Sequence, residues 1–156
     1  MDVQAAVDDV FSLFGDFGND DYIGEMVSQE QHALQAAHLA ETEGFPPEII
    51  IGALLHDIGH LHGKRLSKPH MITDGLVYGI CNHEALGLSP ASKTTLEHQG
   101  GRMTEAEVEV FRKDPKFQAI LRMRDWDERA KDPSVVTPSL QHYKDICLAY
   151  LSKRCK

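Results

Sequence analysis

His56-Asp57-Ile58-Gly59-His60 places an imidazole, a carboxylate and a second imidazole close together along the chain. The stretch leading into it, Pro47-Glu48-Ile49-Ile50-Ile51-Gly52-Ala53-Leu54-Leu55, is apolar almost all round, the pattern of a helix in a domain's interior. A carboxylate in such surroundings has to be neutralised or paired. A divalent metal is the most economical partner, because neutral imidazole and carboxylate are both ligand groups and a cation reverses the desolvation penalty on Asp57. His56 and His60 are four apart and Asp57 and His60 three apart, so a helix projects all three near one face. A buried His-Asp hydrogen-bonded pair with no metal would satisfy the same dipeptide, and the rest of the chain has to decide between them.

The elements that must position these groups read as helices. Ala6, Val7, Val10, Phe11 and Phe14 recur at helical spacing, and Gly15 with Gly18 is expected to end that helix. The loop from Asp16 to Met26 is polar and glycine-hinged, and carries the phenol of Tyr22 and the carboxylate of Glu25. Ser28 and Gln31 make a capping box for a second helix, with His32 in its first turn, an apolar face of Ala33, Leu34, Ala37 and Ala40, and Gly44 at its close. Pro46 and Pro47 start the helix expected to carry the His-Asp pair, with Gly59 near its end. Leu61 to Pro69 reads as a basic loop, and Ile72 to Ala85 as a shorter helix ending in Asn82-His83-Glu84. Further helices are expected over Pro90 to His98, from the Thr104/Glu107 cap to Arg112, and over Phe117 to Ala130 with Phe117, Ile120, Leu121 and Met123 as its apolar face. The last runs from Pro138 to Lys153, facing inward through Ile146, Leu148, Tyr150 and Leu151. No stretch alternates convincingly as a strand, and no repeat or linker divides the chain. The expected fold is all-α, a single helical bundle over residues 1–156.

Composition narrows the partners. Lys and Arg number 16 against 24 Asp and Glu, a net charge of -8, and no basic stripe lies outside Lys153-Arg154-Cys155-Lys156, which argues against nucleic acid or anionic membrane. Three cysteines, Cys81, Cys147 and Cys155, are widely spaced with no CxxC, as in a reducing compartment. Asp2, Asp8 and Asp9 stand where a signal peptide would be positive, and no apolar run reaches membrane-spanning length, so a cytoplasmic location is expected. Nine histidines are a rich supply for 156 residues. His38, His62, His70, His98 and His142 are read as surface or satisfied core residues.

A histidine on one helix, a His-Asp pair on a second, a later histidine and a late aspartate resemble the HD-domain superfamily of metal-dependent proteins, here as His32, His56, Asp57, His83 and Asp127. Asp127 rather than Asp125 is the aspartate that the resemblance implies, by its spacing to Lys131 in the resembling motif. Tyr22-Ile23-Gly24-Glu25, Leu88-Ser89-Pro90-Ala91-Ser92, Gln99-Gly100-Gly101-Arg102-Met103 and Arg124-Asp125-Trp126-Asp127-Glu128-Arg129-Ala130-Lys131 resemble one branch of it. That branch is the PhnZ-like mixed-valent di-iron phosphonate oxygenases, with myo-inositol oxygenase a more distant relative.

The resemblance implies an enzyme with two irons bridged by Asp57, with His32, His56 and Asp127 as terminal ligands and His83 on the other iron. It implies that Tyr22 and Glu25 form a lid, that His60, a catalytic residue with them, holds the phosphonate and its neighbouring groups together with Ser92 and Arg124, and that Lys131 also contacts the small anionic substrate. The implied reaction consumes O2 and cleaves the carbon–phosphorus bond of a hydroxyphosphonate, giving a carboxylic acid and phosphate. Each residue also has an ordinary reading. Arg124 can pair with Glu128 on a helix face, Ser92 can cap a helix locally, and Tyr22 and Glu25 can be plain loop residues.

The match breaks at one place. In the branch it resembles, further helix with another iron-binding histidine and a substrate-contacting lysine precedes the LSxAS segment. Here Asn82-His83-Glu84-Ala85-Leu86-Gly87 runs straight into Leu88-Ser89-Pro90-Ala91-Ser92. An internal deletion between Gly87 and Leu88 is the expected explanation. Its expected consequences are a weakened second iron site and exposed apolar surface that a homodimer would cover. Two alternatives remain beside the oxygenase: an HD phosphohydrolase acting on nucleotides or phosphate esters with one metal, and a catalytically inactive isoform.

Overall fold

A computed structural model of the chain describes residues 2–22, 24–65 and 103–154. The described residues form seven α-helices, with one isolated β-bridge between Asp21 and Ser28. The chain divides into two compact units, one made of Met1–Met71 with Asp125–Lys156 and the other of Ile72–Arg124. No helix among the described residues is long and apolar enough to cross a membrane.

The first unit begins with α1, Val3–Phe17, capped by the Asp2 carboxylate, which accepts from the Ala5 N–H at 3.2 Å. It buries Val7, Phe11, Leu13 and Phe14, while Ala6, one position off that stripe, is exposed. Gly15 does not end the helix, because an exposed glycine weakens a helix without breaking it. Gly18 does. Its N–H bonds the Phe14 carbonyl at 2.7 Å, and a side chain there would run into that carbonyl and into Glu30.

The second helix, α2, spans Gln29–Thr42 and has the expected capping box. The Gln31 N–H bonds Ser28 Oγ at 3.1 Å and the Ser28 N–H bonds Gln31 Oε1 at 2.9 Å. Its buried face contains Ala33, Leu34, Ala36, Ala37 and Ala40 together with Gln29, His32 and Gln35. Gly44 follows in the left-handed region, at φ 78°, where glycine carries no Cβ penalty.

Two short helices come next, α3 over Pro47–Leu55 and α4 over Ile58–Arg65. The His-Asp pair therefore sits at the joint between helices rather than within one, a correction to the expected geometry. The basic loop expected from Leu61 is helical as far as Arg65. Leu61, only 2 % exposed, anchors that turn in the core, and Arg65 reaches α1 through Asp9 at 3.1 Å and Asp16 at 3.2 Å.

Glu105–Arg112 (α5), opened by the Thr104/Glu107 capping box, lies in the second unit. Phe111 there meets Phe117 edge-on at 5.2 Å. Phe117–Arg129 is α6, whose residues from Asp125 onward belong to the first unit. The last helix, α7, is Leu140–Arg154, and it buries Tyr143 and Cys147. Ile146, Leu148, Tyr150 and Leu151, expected to form its inner face, are only half-buried. Tyr150 and Leu151 instead line an apolar cavity of about 320 Å³ with Phe11, Ile51, Leu55 and Cys147. In the first unit α3 packs between α2 and α7, while α1 packs against α7 and α4.

The expected helices over Ile72 to Ala85 and Pro90 to His98, and the junction at Gly87 and Leu88, lie outside the described residues.

Candidate metal centre

Three parts of the first unit meet at one point. The first turn of α2 supplies His32, the joint between α3 and α4 supplies His56 and Asp57, and α6 supplies Asp127. One ligand atom from each lies within 4.8 Å of all the others. His32 Nε2 is 3.1 Å from Asp127 Oδ1 and 3.2 Å from His56 Nε2. His56 Nε2 is 3.4 Å from the same Asp127 oxygen, and Asp57 Oδ2 is 3.6 Å from His32 Nε2 and 3.5 Å from His56 Nε2.

The outer nitrogens fix the rings. His32 Nδ1 lies 2.8 Å from the Ala130 carbonyl and His56 Nδ1 lies 2.7 Å from the Ala53 carbonyl. A carbonyl only accepts, so each Nδ1 donates and each Nε2 faces the cluster, where it can offer a lone pair to a metal or, carrying a proton, donate to Asp127. Two lone pairs and two carboxylates converging on one point need positive charge between them. Without a cation that charge is a proton. Burial disfavours ionised Asp127, but bonds from His32 and His56 outweigh it and hold its carboxyl far below the usual range. Burial likewise pulls His56 down, and the bond to Asp127 and the charge of Asp57 overcome it and leave the imidazole more basic than usual. Imidazole and carboxylate donors facing inward with their outer atoms tied back fit a metal ion, whose charge would replace that proton.

Tyr22 closes over the cluster. Its ring stacks on His32 with centroids 3.9 Å apart and planes at 17°, and its hydroxyl donates to Asp57 Oδ2 at 3.0 Å with Asp127 Oδ1 at 3.3 Å. Burial and the two carboxylates push the phenol well above its ordinary range, so it stays protonated. The loop that carries it is folded back on itself: the Tyr22 N–H bonds the Val27 carbonyl at 3.0 Å, the Glu25 N–H bonds the Tyr22 carbonyl at 2.7 Å, and Gly24 turns the chain at φ 75°.

The remaining expected residues are placed as follows. Glu25 is exposed and lies 3.5 Å from Lys131, which is also 3.5 Å from Glu128. Both are therefore at the outer end of the Tyr22 loop, not in the cluster. His60 Nε2 is 3.9 Å from Asp57 Oδ1, the oxygen that does not face the other ligands. Asp125 pairs with Arg129 at 2.9 Å, which separates it from Asp127. Arg124 is half-buried and belongs to the second unit, and His83 and Ser92 lie outside the described residues. The Ala53 and Ala130 carbonyls were not foreseen, because no side chain marks a main-chain acceptor. Gln35 was also missed, although its spacing of three from His32 puts it on the same helix face.

No family model matches the chain. Individual proteins do. The chain is 33% identical over 178 residues to [1-hydroxy-2-(trimethylamino)ethyl]phosphonate dioxygenase (glycine-betaine-forming) of Leisingera caerulea, covering 94% of this chain and 91% of that protein. It is 34% identical over 169 residues to hydroxymethylphosphonate dioxygenase of Gimesia maris, covering 88% and 84%. It is also 30% identical over 180 residues to the uncharacterized protein L432 of Acanthamoeba polyphaga mimivirus, covering 94% and 82%. The chain belongs to the PhnZ-like family of hydroxyphosphonate dioxygenases. By that membership it is an oxygenase.

Proposed function

We propose that this chain is an iron-dependent dioxygenase that cleaves the carbon–phosphorus bond of a small 1-hydroxyphosphonate. The observation that carries the reading is the cluster of His32, His56, Asp57 and Asp127 in a chain whose named relatives are phosphonate dioxygenases. His32, His56 and Asp127 would hold one iron. Asp57 turns Oδ2 into the cluster and Oδ1 toward His60; with a carboxylate's two oxygens it could serve a second ion, for which the family resemblance proposes His83. Bound iron would supply the redox chemistry by which O2 reacts at a carbon–hydrogen bond. With hydroxymethylphosphonate, one O2 and one substrate give one formate and one phosphate. The C–P bond breaks, carbon is oxidised and O2 is reduced.

In this reading the Tyr22 hydroxyl holds both carboxylates until substrate arrives, and the Glu25–Lys131 pair holds the outer end of the loop. A phosphonate that draws Lys131 away frees Glu25. His60, Ser92 and Arg124 are proposed to hold the substrate, guanidinium matching phosphonate oxygens. Family membership and Tyr22 favour this over a phosphohydrolase, which has no need of a guarded redox site.

A second reading is supported by the lengths of the matches. A match over 178 residues takes up 94% of a chain of 156, so the relative contributes residues with no counterpart here. This supports an internally shortened form whose second iron site is weak and whose turnover is reduced or lost. Iron titration with electron spin resonance separates the readings. Two irons per chain with a mixed-valent signal support full oxygenase function. One iron without that signal supports the shortened, inactive form, and no iron uptake contradicts both.

A further inference from the structure

We infer that Gln35 is a positioning residue for the metal centre. It aligns His32 and Asp127 through the main chain that follows α6. The inference rests on the reading that the cluster binds metal. Gln35 is 4 % exposed, and both ends of its amide are used on one residue. Its Nε2 donates to the Asp132 carbonyl at 2.8 Å, and the Asp132 N–H donates to its Oε1 at 3.2 Å. This double bond pattern is what a neighbouring strand would offer, and it clamps the segment Ala130–Asp132 along α2.

His32 grips the same segment one helical turn earlier, through Ala130, at 2.8 Å. Ala130 in turn ends α6 with its N–H on the Trp126 carbonyl at 2.9 Å. The Ala130 carbonyl is thus held from both sides, by the end of α6 before it and by the Gln35 clamp on Asp132 after it. Its direction decides whether His32 keeps its proton on Nδ1 and its lone pair on Nε2. The same clamp sets the last turn of α6, on which Asp127 stands. An apolar residue could fill the space of Gln35, but it would leave the Asp132 N–H and carbonyl without these partners.

The test compares wild type, Gln35→Met and Gln35→Glu, each first shown to be folded by circular dichroism. Cobalt(II) is the probe, titrated by its visible absorption, and zinc-loaded protein is used for nitrogen NMR of the histidine rings. Gln35→Met, which keeps volume and loses both bonds, should bind cobalt about 10–100-fold more weakly at unchanged stoichiometry. Zinc fixes the proton on Nδ1 in every variant, so the readout is the His32 Nδ1–H bond to Ala130: its resonance should move from the wild-type position and exchange faster with water. Gln35→Glu keeps the acceptor for the Asp132 N–H and should fall between the two. It also serves as the reporter if Gln35→Met does not fold. Wild-type affinity together with an unchanged His32 pattern in a folded variant would overturn the inference. A wild-type chain that takes up no cobalt would instead overturn the metal reading beneath it.

Discussion

Tyr22 lies flat on His32, ring centroids 3.9 Å apart, and its hydroxyl reaches the two carboxylates that flank that histidine. A loop residue thus caps the cluster, and in the metal-free protein its O–H, beside the two imidazoles, helps draw Asp57 and Asp127 together.

Tyr22→Phe keeps the stack and removes that donor. The metal-free variant should be less stable than metal-free wild type by about 1–3 kcal/mol. The loss should shrink once metal neutralises the carboxylates. Thermal melts in chelator and in saturating metal check this, and equal losses in both states would reduce the phenol to a packing role.

Asp127 is the carboxylate nearest both imidazoles. Asp127→Asn should lower metal affinity by at least about a hundredfold, more than the loss of an outer partner costs. Asp125→Asn, which touches the Arg129 pair instead, should leave affinity within about twofold on the same scale. Isothermal titration of the two variants side by side would expose a misassigned ligand.

The metal-free cluster should be sensitive to pH from both sides. His56 has a folded value above its ordinary 6.5, so its contribution is fully present below 6.5 and lost as pH rises through the folded value. Asp127 has a folded value below its ordinary 3.8, so its contribution is present above 3.8 and lost as pH falls through the folded value. The metal-free melting temperature should therefore fall as pH rises above 6.5 through the raised His56 value, while metal binding, which needs unprotonated imidazole, strengthens. The metal-induced rise in melting temperature should grow over that interval. A constant difference would mean that no proton is displaced by the metal.

Glu43, just past α2, ties α6 down. It accepts from the fully buried Trp126 Nε1 at 3.0 Å and from Arg129 at 3.0 Å. Glu43→Ala should cost about 1–3 kcal/mol, most of it from the stranded indole N–H. Glu43→Gln should recover much of that, since it still offers an acceptor. Urea unfolding of the pair tests the assignment.

Part of this arrangement was legible in the sequence. The Ser28/Gln31 and Thr104/Glu107 boxes and the small-residue face of α2 follow from local chemistry, and their short-range signals survive folding. The convergence of His32, His56, Asp57 and Asp127 was reachable from residue type and spacing, together with a family resemblance. The break at His56-Asp57 was not, because nothing in an apolar run marks where one helix hands over to another. Nor were the Ala53 and Ala130 carbonyls, or the clamp of Gln35 on Asp132 across 97 residues of chain, since main-chain acceptors have no side-chain signature. The inner face of α7 was misjudged for a related reason. Tyr143 is buried with its hydroxyl on Glu41 at 3.2 Å, a polar handle that simple hydrophobic spacing passes over.

The central claim is that the cluster serves oxidative carbon–phosphorus cleavage. Its most direct test is to supply iron-loaded protein with hydroxymethylphosphonate and follow O2, formate and phosphate together. The account predicts that one O2 disappears for each formate and phosphate formed, and that neither product appears without O2 or with Asp127→Asn. Phosphate released without oxygen, or from a phosphate ester in place of the phosphonate, would contradict it.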